Sequence, residues 1–401
     1  MKENFKRKIL KNGMTIVFEK RRVPVVSVAF AVRNGGINED LGEKGISHFI
    51  EHMLYKGTPS RDAKKVAEEI EKRGGEMNGF TSEEITAYWC KMPSKHLYIA
   101  LDVLSDLIKN PKFDKQELKK ERKVIFEEIK MCHDNPMRYV FDEIGKCLYD
   151  MGATNVIGTY ETMNSIDRKK ITEKFNQIYK PNNMILVVTG DADFDNIVKF
   201  AEENFNEDQG EIPEQEFSLM NEERIEKRKG IDQASLVFAY HVPIANDKKN
   251  YSAQVLSTLM AGGLSSRLFA EIREKRNLAY AVKGGAEINK RFAYNFIYVG
   301  TMKENVGQVK ELILKEFKKV AQDLDEKELN SIKEQMIGQW QINMEDSQSQ
   351  MVGLLVSENQ GNAKDFYEFE NNILKVRLED VKELAKKVRE GFSFFALIPE
   401  E

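Results

Sequence analysis

The sequence predicts an α+β protein built from two similar halves, and three observations lead to this expectation. The chain has 401 residues, which at roughly 100–200 residues per domain is enough for two domains. Both halves alternate strand-like segments with long amphipathic helical ones. Residues 235–240 (SLVFAY) also resemble residues 27–32 (SVAFAV), and a loop and a helix follow each. The alternative is that any two α+β segments share such features.

The first half begins with a predicted hairpin, because Asn12-Gly13 separates two strand segments and suits a tight turn. A third strand over 25–32 ends at Gly35-Gly36. Predicted helices follow at 45–55, 61–73, 94–109, 115–132 and 136–149, with a strand at 85–92, a buried strand at 183–190 and a short helix to about 204.

An acidic linker is predicted between the halves. Residues 200–223 hold nine acids and no lysine or arginine, together with Gly210 and Pro213. The second half has long helices over 303–345, further helices to about 389 and a closing strand at 393–398. The predicted organisation is therefore a domain at 1–205, a linker at 206–223 and a second domain at 224–401.

Composition excludes several classes of protein. Lysine and arginine number 61 against 65 acids, a net charge of −4, which does not favour a nucleic-acid partner. The longest apolar stretch, 23–32, is shorter than the roughly 20 residues of a membrane span, and residues 1–13 lack the apolar block of a secretion signal. Cys90, Cys132 and Cys147 give an odd count without a C-x-x-C spacing. We expect a soluble, cytoplasmic protein with reduced thiols.

The run GISHFIEHML contains the most informative motif. His48 and His52 lie four residues apart, so both project from one face of a helix and could share a metal ion, with Glu51 on the flank of that face. H-x-x-E-H reverses H-E-x-x-H, in which the carboxylate is general base to a zinc-bound water. Two solvent-facing or core histidines are the alternative, but chance produces this pattern on the order of 0.01 times per chain.

A catalytic zinc needs a third protein ligand and an open position. The remaining histidines lack supporting context, so a carboxylate is the better candidate; they are His96, His133 and His241. The helix over 115–132 offers Glu121 and Glu128, which fall within about 20° of each other around its axis.

Helical periodicity places Glu121 and Glu128 on the side of Val124, Ile125 and Cys132, and turns Glu127 to solvent with neighbouring lysines. A carboxylate on an apolar face must be paired, protonated or bound to metal. We therefore predict that Glu128 is a ligand and that Glu121 orients one. A salt bridge to a core arginine is the alternative.

These residues resemble a known family, the M16 zinc peptidases or inverzincins. H-x-x-E-H is followed by Gly57-Thr58, and an E-x6-E run begins 69 residues after His52. Further matches are GGEMNGFT at 74–81, GGLSSRLF at 262–269 and IREKRNLAY at 272–280. The resemblance spans both halves and implies two homologous domains, each an antiparallel-rich sheet packed with helices, facing each other across a chamber.

The resemblance also assigns roles in the first half. His48, His52 and Glu128 would hold one Zn²⁺ per chain, Glu51 would be the general base, and Glu121 would be the family's additional acidic residue. Two histidines and a carboxylate could also bind manganese or cobalt.

In the second half, Arg273 and Tyr280 match an Arg/Tyr pair that contacts substrate, where Tyr280 would stabilise the developing oxyanion. Asn78 marks the edge strand to which substrate would add. Gly79 departs from the family, many members of which carry a small side chain there.

The function that the resemblance implies is a zinc-dependent endopeptidase that cuts unfolded peptides inside a closed chamber and acts as a homodimer. At an offset of 208 residues the zinc motif falls on Leu256, Leu259 and Met260, so the second half has no metal site. The alternative is a non-catalytic or partner-dependent subunit of a heteromeric peptidase of this family.

Overall fold

The computed structural model describes residues 4–150, 155–206 and 208–400. These residues form two mixed sheets and many helices, which confirms the α+β prediction. No helix in these ranges is long and apolar enough to cross a membrane.

The bounds of the elements follow the chain in order. Strands run over Phe5–Ile9 (β1), Thr15–Lys20 (β2), Val25–Val32 (β3), Glu76–Thr81 (β4), Thr86–Pro93 (β5), Met184–Gly190 (β6), Glu223–Arg228 (β7), Ala234–His241 (β8), Ala279–Ile288 (β9), Ala293–Thr301 (β10) and Ser393–Pro399 (β11). Helices run over Ile46–Leu54 (α1), Ala63–Glu71 (α2), Leu97–Lys109 (α3), Lys115–Asp134 (α4), Pro136–Leu148 (α5), Tyr160–Ser165 (α6), Arg168–Ile178 (α7), Phe194–Asn204 (α8), Asn250–Ala261 (α9), Val306–Asp323 (α10), Glu326–Asn343 (α11), Ser347–Gln360 (α12), Phe369–Leu374 (α13) and Leu378–Lys387 (α14).

The five strands of the second sheet repeat the order of five strands of the first, as an internal duplication predicts, and β1 is an additional strand of the first sheet. The first sheet has the strand order β1-β2-β6-β3-β5-β4 and the second has β7-β11-β8-β10-β9. In each sheet the last strand of the half runs parallel to one neighbour, β2 or β7, and antiparallel to the other, β3 or β8. The other pairs are antiparallel, so both sheets are antiparallel-rich.

Contacts divide the chain into two compact units that are discontinuous in sequence. The first comprises the described residues of 1–130, 154–216 and 343–366, and the second those of 131–153, 217–342 and 367–401. This division differs from the predicted contiguous domains in two segments. Helix α5 packs on β8 and β11 of the second sheet, and helix α12 packs on β3 and β6 of the first.

Hydrogen bonds fasten each of these helices to its sheet. In the first unit, Ser347 at the start of α12 contacts the Ser27 hydroxyl at 2.9 Å, and its carbonyl accepts a 2.7 Å bond from the Thr189 hydroxyl. In the second unit, the Ser393 hydroxyl donates to the carbonyl of Cys147 in α5 at 2.8 Å. Polar anchors and apolar packing, rather than order along the chain, therefore assign each helix to its sheet.

Most predicted elements are found, with ends that shift by a few residues. The turn at Asn12-Gly13 joins β1 to antiparallel β2, and Gly13 has a φ of +86° that favours glycine. The sequence analysis does not predict helices α6 and α7 or strands β7, β9 and β10 of the second sheet. The linker was predicted at 206–223, but Glu223 already belongs to β7; the described residues of 206–222 contain no helix and no strand of the sheets.

Candidate metal centre and active site

Helix α1 carries the H-x-x-E-H motif and is fixed at its N-terminus by a buried carboxylate. Gly45 precedes the helix with a φ of +89°, and a side chain there would meet the carbonyl oxygen of Ile157. Glu39 accepts hydrogen bonds from the backbone nitrogens of Gly45 at 2.8 Å and Ser47 at 2.7 Å. Two otherwise orphan donors of the first turn are thereby satisfied.

Helix α4 presents the two predicted acids to α1. Glu121 is buried and Glu128 is half-buried, whereas Glu127 is exposed as predicted. The prediction was wrong for Val124, which is 49% exposed. The buried stripe of α4 is therefore narrower than the sequence indicated, because only part of the predicted apolar side packs on the core.

Three side chains form a group that could hold a metal ion. One ligand atom each from His48, His52 and Glu128 lies within 4.8 Å of the others. Glu128 Oε2 lies 3.6 Å from His48 Nε2 and 3.7 Å from His52 Nε2. These separations are too long for good hydrogen bonds but close to the roughly 3.4 Å between ligands at about 2.1 Å from a tetrahedral zinc. The donor set therefore fits a metal ion better than a hydrogen-bonded cluster.

The protonation state of His48 suits ligation. Burial, followed by the nearby His52, lowers the pKa of His48 to about 3. The imidazole is therefore neutral at neutral pH, as a metal ligand must be.

Glu121 connects one ligand to a lysine. Its Oε2 lies 3.2 Å from His52 Nδ1 and its Oε1 lies 2.7 Å from Lys56 Nζ. With Nδ1 held by a carboxylate, Nε2 of His52 faces Glu128 as a free ligand atom. The structure thus places Glu121 in contact with His52, the ligand that it was predicted to orient.

Glu51 lies beside this group in a buried setting. Its Oε2 accepts a 2.6 Å hydrogen bond from the Thr81 hydroxyl in β4. Burial raises the pKa of Glu51, and the Thr81 bond opposes that rise. A carboxylate with a raised pKa is a stronger base, which suits proton abstraction near neutral pH.

Strand β4 is the edge of the first sheet. Among the described residues it pairs only with β5, so its other side offers unpaired backbone groups. Asn78 is exposed on this strand, and its side-chain oxygen accepts from the Gly79 nitrogen at 2.8 Å. The edge predicted from the resemblance is present, and an extended peptide could pair with it.

The remaining predicted residues belong to the second unit. Arg273 is exposed in a short π-helical turn, with its guanidinium 4.9 Å from the ring of Phe269. Tyr280 is the second residue of the edge strand β9 and is 52% exposed, and its hydroxyl lies 3.5 Å from the Tyr298 hydroxyl. Both residues are exposed within this unit.

The second unit has no metal centre in its described residues. The residues at the motif's offset are buried in the core in helix α9: Leu256, Leu259 and Met260. Among the described residues, the one group that could hold a metal ion is His48, His52 and Glu128 in the first unit.

Sequence reasoning missed three residues at the site: Lys56, Thr81 and Tyr55. Helical spacing carried just past the end of α1 could have found Lys56, since it lies four residues after His52. Strand alternation places Thr81 with Gly79 on one face of β4, and that face meets α1.

Comparison with known proteins agrees with this geometry. Residues 15–157 match the family described as insulinase (peptidase family M16), and residues 165–336 match the peptidase M16 inactive domain. A Bacillus subtilis protein named uncharacterized zinc protease YmxG is 33% identical over 96% of this chain and 95% of its own length. An uncharacterized zinc protease of Rickettsia felis is 32% identical over 84% and 83%. The chain therefore belongs to peptidase family M16.

Solved structures share the fold. A protease from Helicobacter pylori superposes with a TM-score of 0.91 at 21% identity, over 98% of this chain and 99% of that one. A Pseudomonas fluorescens structure described as a peptidase M16 inactive domain gives a TM-score of 0.89 at 18% identity, over 99% and 98%. At these identities the likeness establishes the architecture alone, and it confirms the predicted fold class.

Proposed function

We propose that this protein is a zinc-dependent endopeptidase that hydrolyses unfolded peptides. One observation carries the proposal: Nε2 of His48, Nε2 of His52 and Oε2 of Glu128 converge beside the buried carboxylate of Glu51. Two histidines and a carboxylate leave a fourth tetrahedral position open, as in catalytic zinc sites. The names of the relatives, zinc proteases, support the same metal and reaction.

Each residue has a defined task. Zinc at this site supplies Lewis acidity, which makes bound water more acidic and polarises the scissile carbonyl. Glu51 takes the proton of the attacking water and passes it to the leaving amine. Glu121 holds the Nδ1 side of His52 and so keeps that ring oriented.

Substrate recognition is proposed to be largely main-chain. The free edge of β4 pairs with an extended peptide, and such pairing tolerates many sequences. Arg273 positions peptide backbone and Tyr280 stabilises the oxyanion, as the resemblance implies. The proposal also includes a closed chamber, a homodimer and a cytoplasmic location.

The second candidate is a non-catalytic or partner-dependent subunit. The match of residues 165–336 to a family described as inactive is the observation that favours it. Against it stands the first unit, where the ligand set and Glu51 are complete.

Cleavage of a quenched fluorogenic library of unstructured peptides tests the proposal. The zinc-loaded chain should cut, and Glu51→Gln should abolish cutting while retaining zinc. Glu127→Gln is the matched control, because Glu127 is exposed on α4. If the zinc-loaded wild type does not cleave the peptides, the protein is instead a non-catalytic or partner-dependent subunit.

The chamber is tested with a folded protein and its unstructured fragments as paired substrates. The fragments should be cut and the folded protein spared, and equal rates would contradict the chamber. Size-exclusion chromatography of the active fraction tests the homodimer, which predicts activity at the mass of two identical chains.

A further inference from the structure

Gly79 stands in the middle of β4 at a position where the backbone does not require glycine, because its φ is not positive. A Cβ built on it would lie 2.7 Å from the hydroxyl oxygen of Tyr55 and 2.9 Å from Oε1 of Glu51. Carbon atoms do not approach side-chain oxygens this closely. The missing side chain therefore leaves a space bounded by these two side-chain oxygens and by the backbone carbonyl oxygen of Ala87, 3.0 Å from the same Cβ position.

The two side chains that enter this space come from one face of α1. Glu51 and Tyr55 are four residues apart in sequence, so they project side by side from the helix end, and α1 packs on β4. Thr81, two residues after Gly79 and on the same face of the strand, donates to Oε2 of Glu51. Strand β4 thus faces both carboxylate oxygens of Glu51. The Thr81 hydroxyl donates to Oε2, and Oε1 lies next to the space left by the missing side chain of Gly79.

The Tyr55 hydroxyl is buried and has no hydrogen-bond partner among the described residues. Burial, followed by the negative charge of Glu51, raises the pKa of Tyr55, so the hydroxyl keeps its proton and remains a donor. A buried donor without an acceptor is destabilising. Oε1 of Glu51 is the side-chain acceptor that shares the Gly79 space with it.

With the proposed peptidase function as its basis, we propose that Gly79 and Tyr55 act as a pair that positions Glu51. The missing side chain of Gly79 admits the Tyr55 hydroxyl, which supports the carboxylate at Oε1 while Thr81 holds Oε2. Tyr55 is thus a positioning residue that acts through Glu51.

The proposal makes the volumes at positions 55 and 79 interdependent. Gly79→Ala adds a methyl group where the hydroxyl lies, and Tyr55→Phe removes that hydroxyl. Together the two changes nearly conserve volume, which packed interiors tolerate better than either change alone. A double-mutant cycle measures this coupling directly.

The cycle is measured as kcat and KM on one fluorogenic peptide. Gly79→Ala should lower kcat about 10- to 100-fold, because a displacement of about 1 Å at a catalytic group costs this much. Tyr55→Phe should lower kcat about 3- to 10-fold, because it removes the polar hydroxyl that lies beside Oε1 of Glu51. The double variant should be about tenfold faster than Gly79→Ala, with KM changed little in all four proteins.

Two control variants and a second measurement distinguish an effect of packing at positions 55 and 79 from a general effect of adding a methyl group or removing a hydroxyl. Gly42→Ala adds a methyl group where no atom lies within 4 Å, and Tyr98→Phe removes a hydroxyl from an exposed ring; both should leave kcat unchanged. Melting temperatures in chelator report the same cycle without metal or catalysis. There Gly79→Ala should melt lower and the double variant should recover part of the loss.

The outcomes distinguish this proposal from the proposed function. If the wild type cuts and the double variant is no faster than Gly79→Ala, the pairing is overturned and the peptidase stands. If the zinc-loaded wild type is silent, the peptidase is overturned and the melting temperatures decide the pairing: additive effects of the two changes contradict it, and recovery in the double variant supports it.

Discussion

The link from Lys56 to Glu121 to His52 predicts that a residue outside the ligand set tunes metal affinity. Lys56→Met keeps the length and apolar stem of the side chain and removes its charge. Glu121 then loses its 2.7 Å partner while its side chain remains only 8% exposed. Without Lys56, Glu121 is an uncompensated buried charge, and a Glu121 side chain that turns toward water to relieve this cost gives up its contact with His52 Nδ1.

The expected magnitude follows from burial. Breaking a fully buried ion pair costs about 3–5 kcal/mol, and an exposed pair contributes about 0–1 kcal/mol. Lys56 is 28% exposed, so we expect a loss of about 1–2 kcal/mol in the free energy of unfolding without metal. Zinc affinity should fall about tenfold, the lower end of the range for groups that orient a ligand.

Competition with a chromophoric zinc chelator measures the affinity, and urea denaturation in chelator measures stability. Lys64→Met is the matched control, because this lysine is 82% exposed and pairs with a helix neighbour at 4.0 Å. Unchanged zinc affinity in Lys56→Met, or an equal loss in Lys64→Met, would refute the reasoning.

Three further predictions concern single side chains. Burial raises the pKa of Glu39 to about 7 from 4.5, so the folded state binds its proton more tightly; between pH 4.5 and 7 the wild type should lose up to about 3 kcal/mol relative to Glu39→Gln, measured by urea denaturation in chelator. Glu358 is buried between two arginines, so Glu358→Ala should destabilise by about 3 kcal/mol, whereas Glu202→Ala at an exposed pair should cost under about 1 kcal/mol. Thr81→Val should lower kcat about tenfold with zinc content unchanged, and Thr81→Ser, which keeps the donor to Glu51, should retain the rate.

Local periodicity was sufficient for the part of the site that one helix carries. The spacing of His48, Glu51 and His52 fixes their common face wherever the helix packs. The same rule separated Glu128 from exposed Glu127. It did not place Val124, which is exposed, because periodicity gives the direction of a side chain but not how far the core extends around the helix.

Contacts between elements distant in sequence had to come from the structure. The Thr81 bond to Glu51 and the crowding of Gly79 by α1 depend on how closely β4 approaches the helix. No spacing within either segment encodes that distance. The pairing of Lys56 with Glu121 likewise joins the turn after α1 to helix α4, between residues 65 positions apart in the chain.

The sequence alone predicted the strands of the first half, most helices, the duplication and the residues of the metal group, because each depends on short-range spacing or on a repeated pattern. It did not predict β7, β9 and β10 of the second half. Tertiary structure decided which sheet α5 and α12 cover. An amphipathic helix presents an apolar face that can pack on either of two similar sheets. The choice is made by shape and by polar anchors such as Ser347 and Ser393, which meet their partners only when the chain is folded.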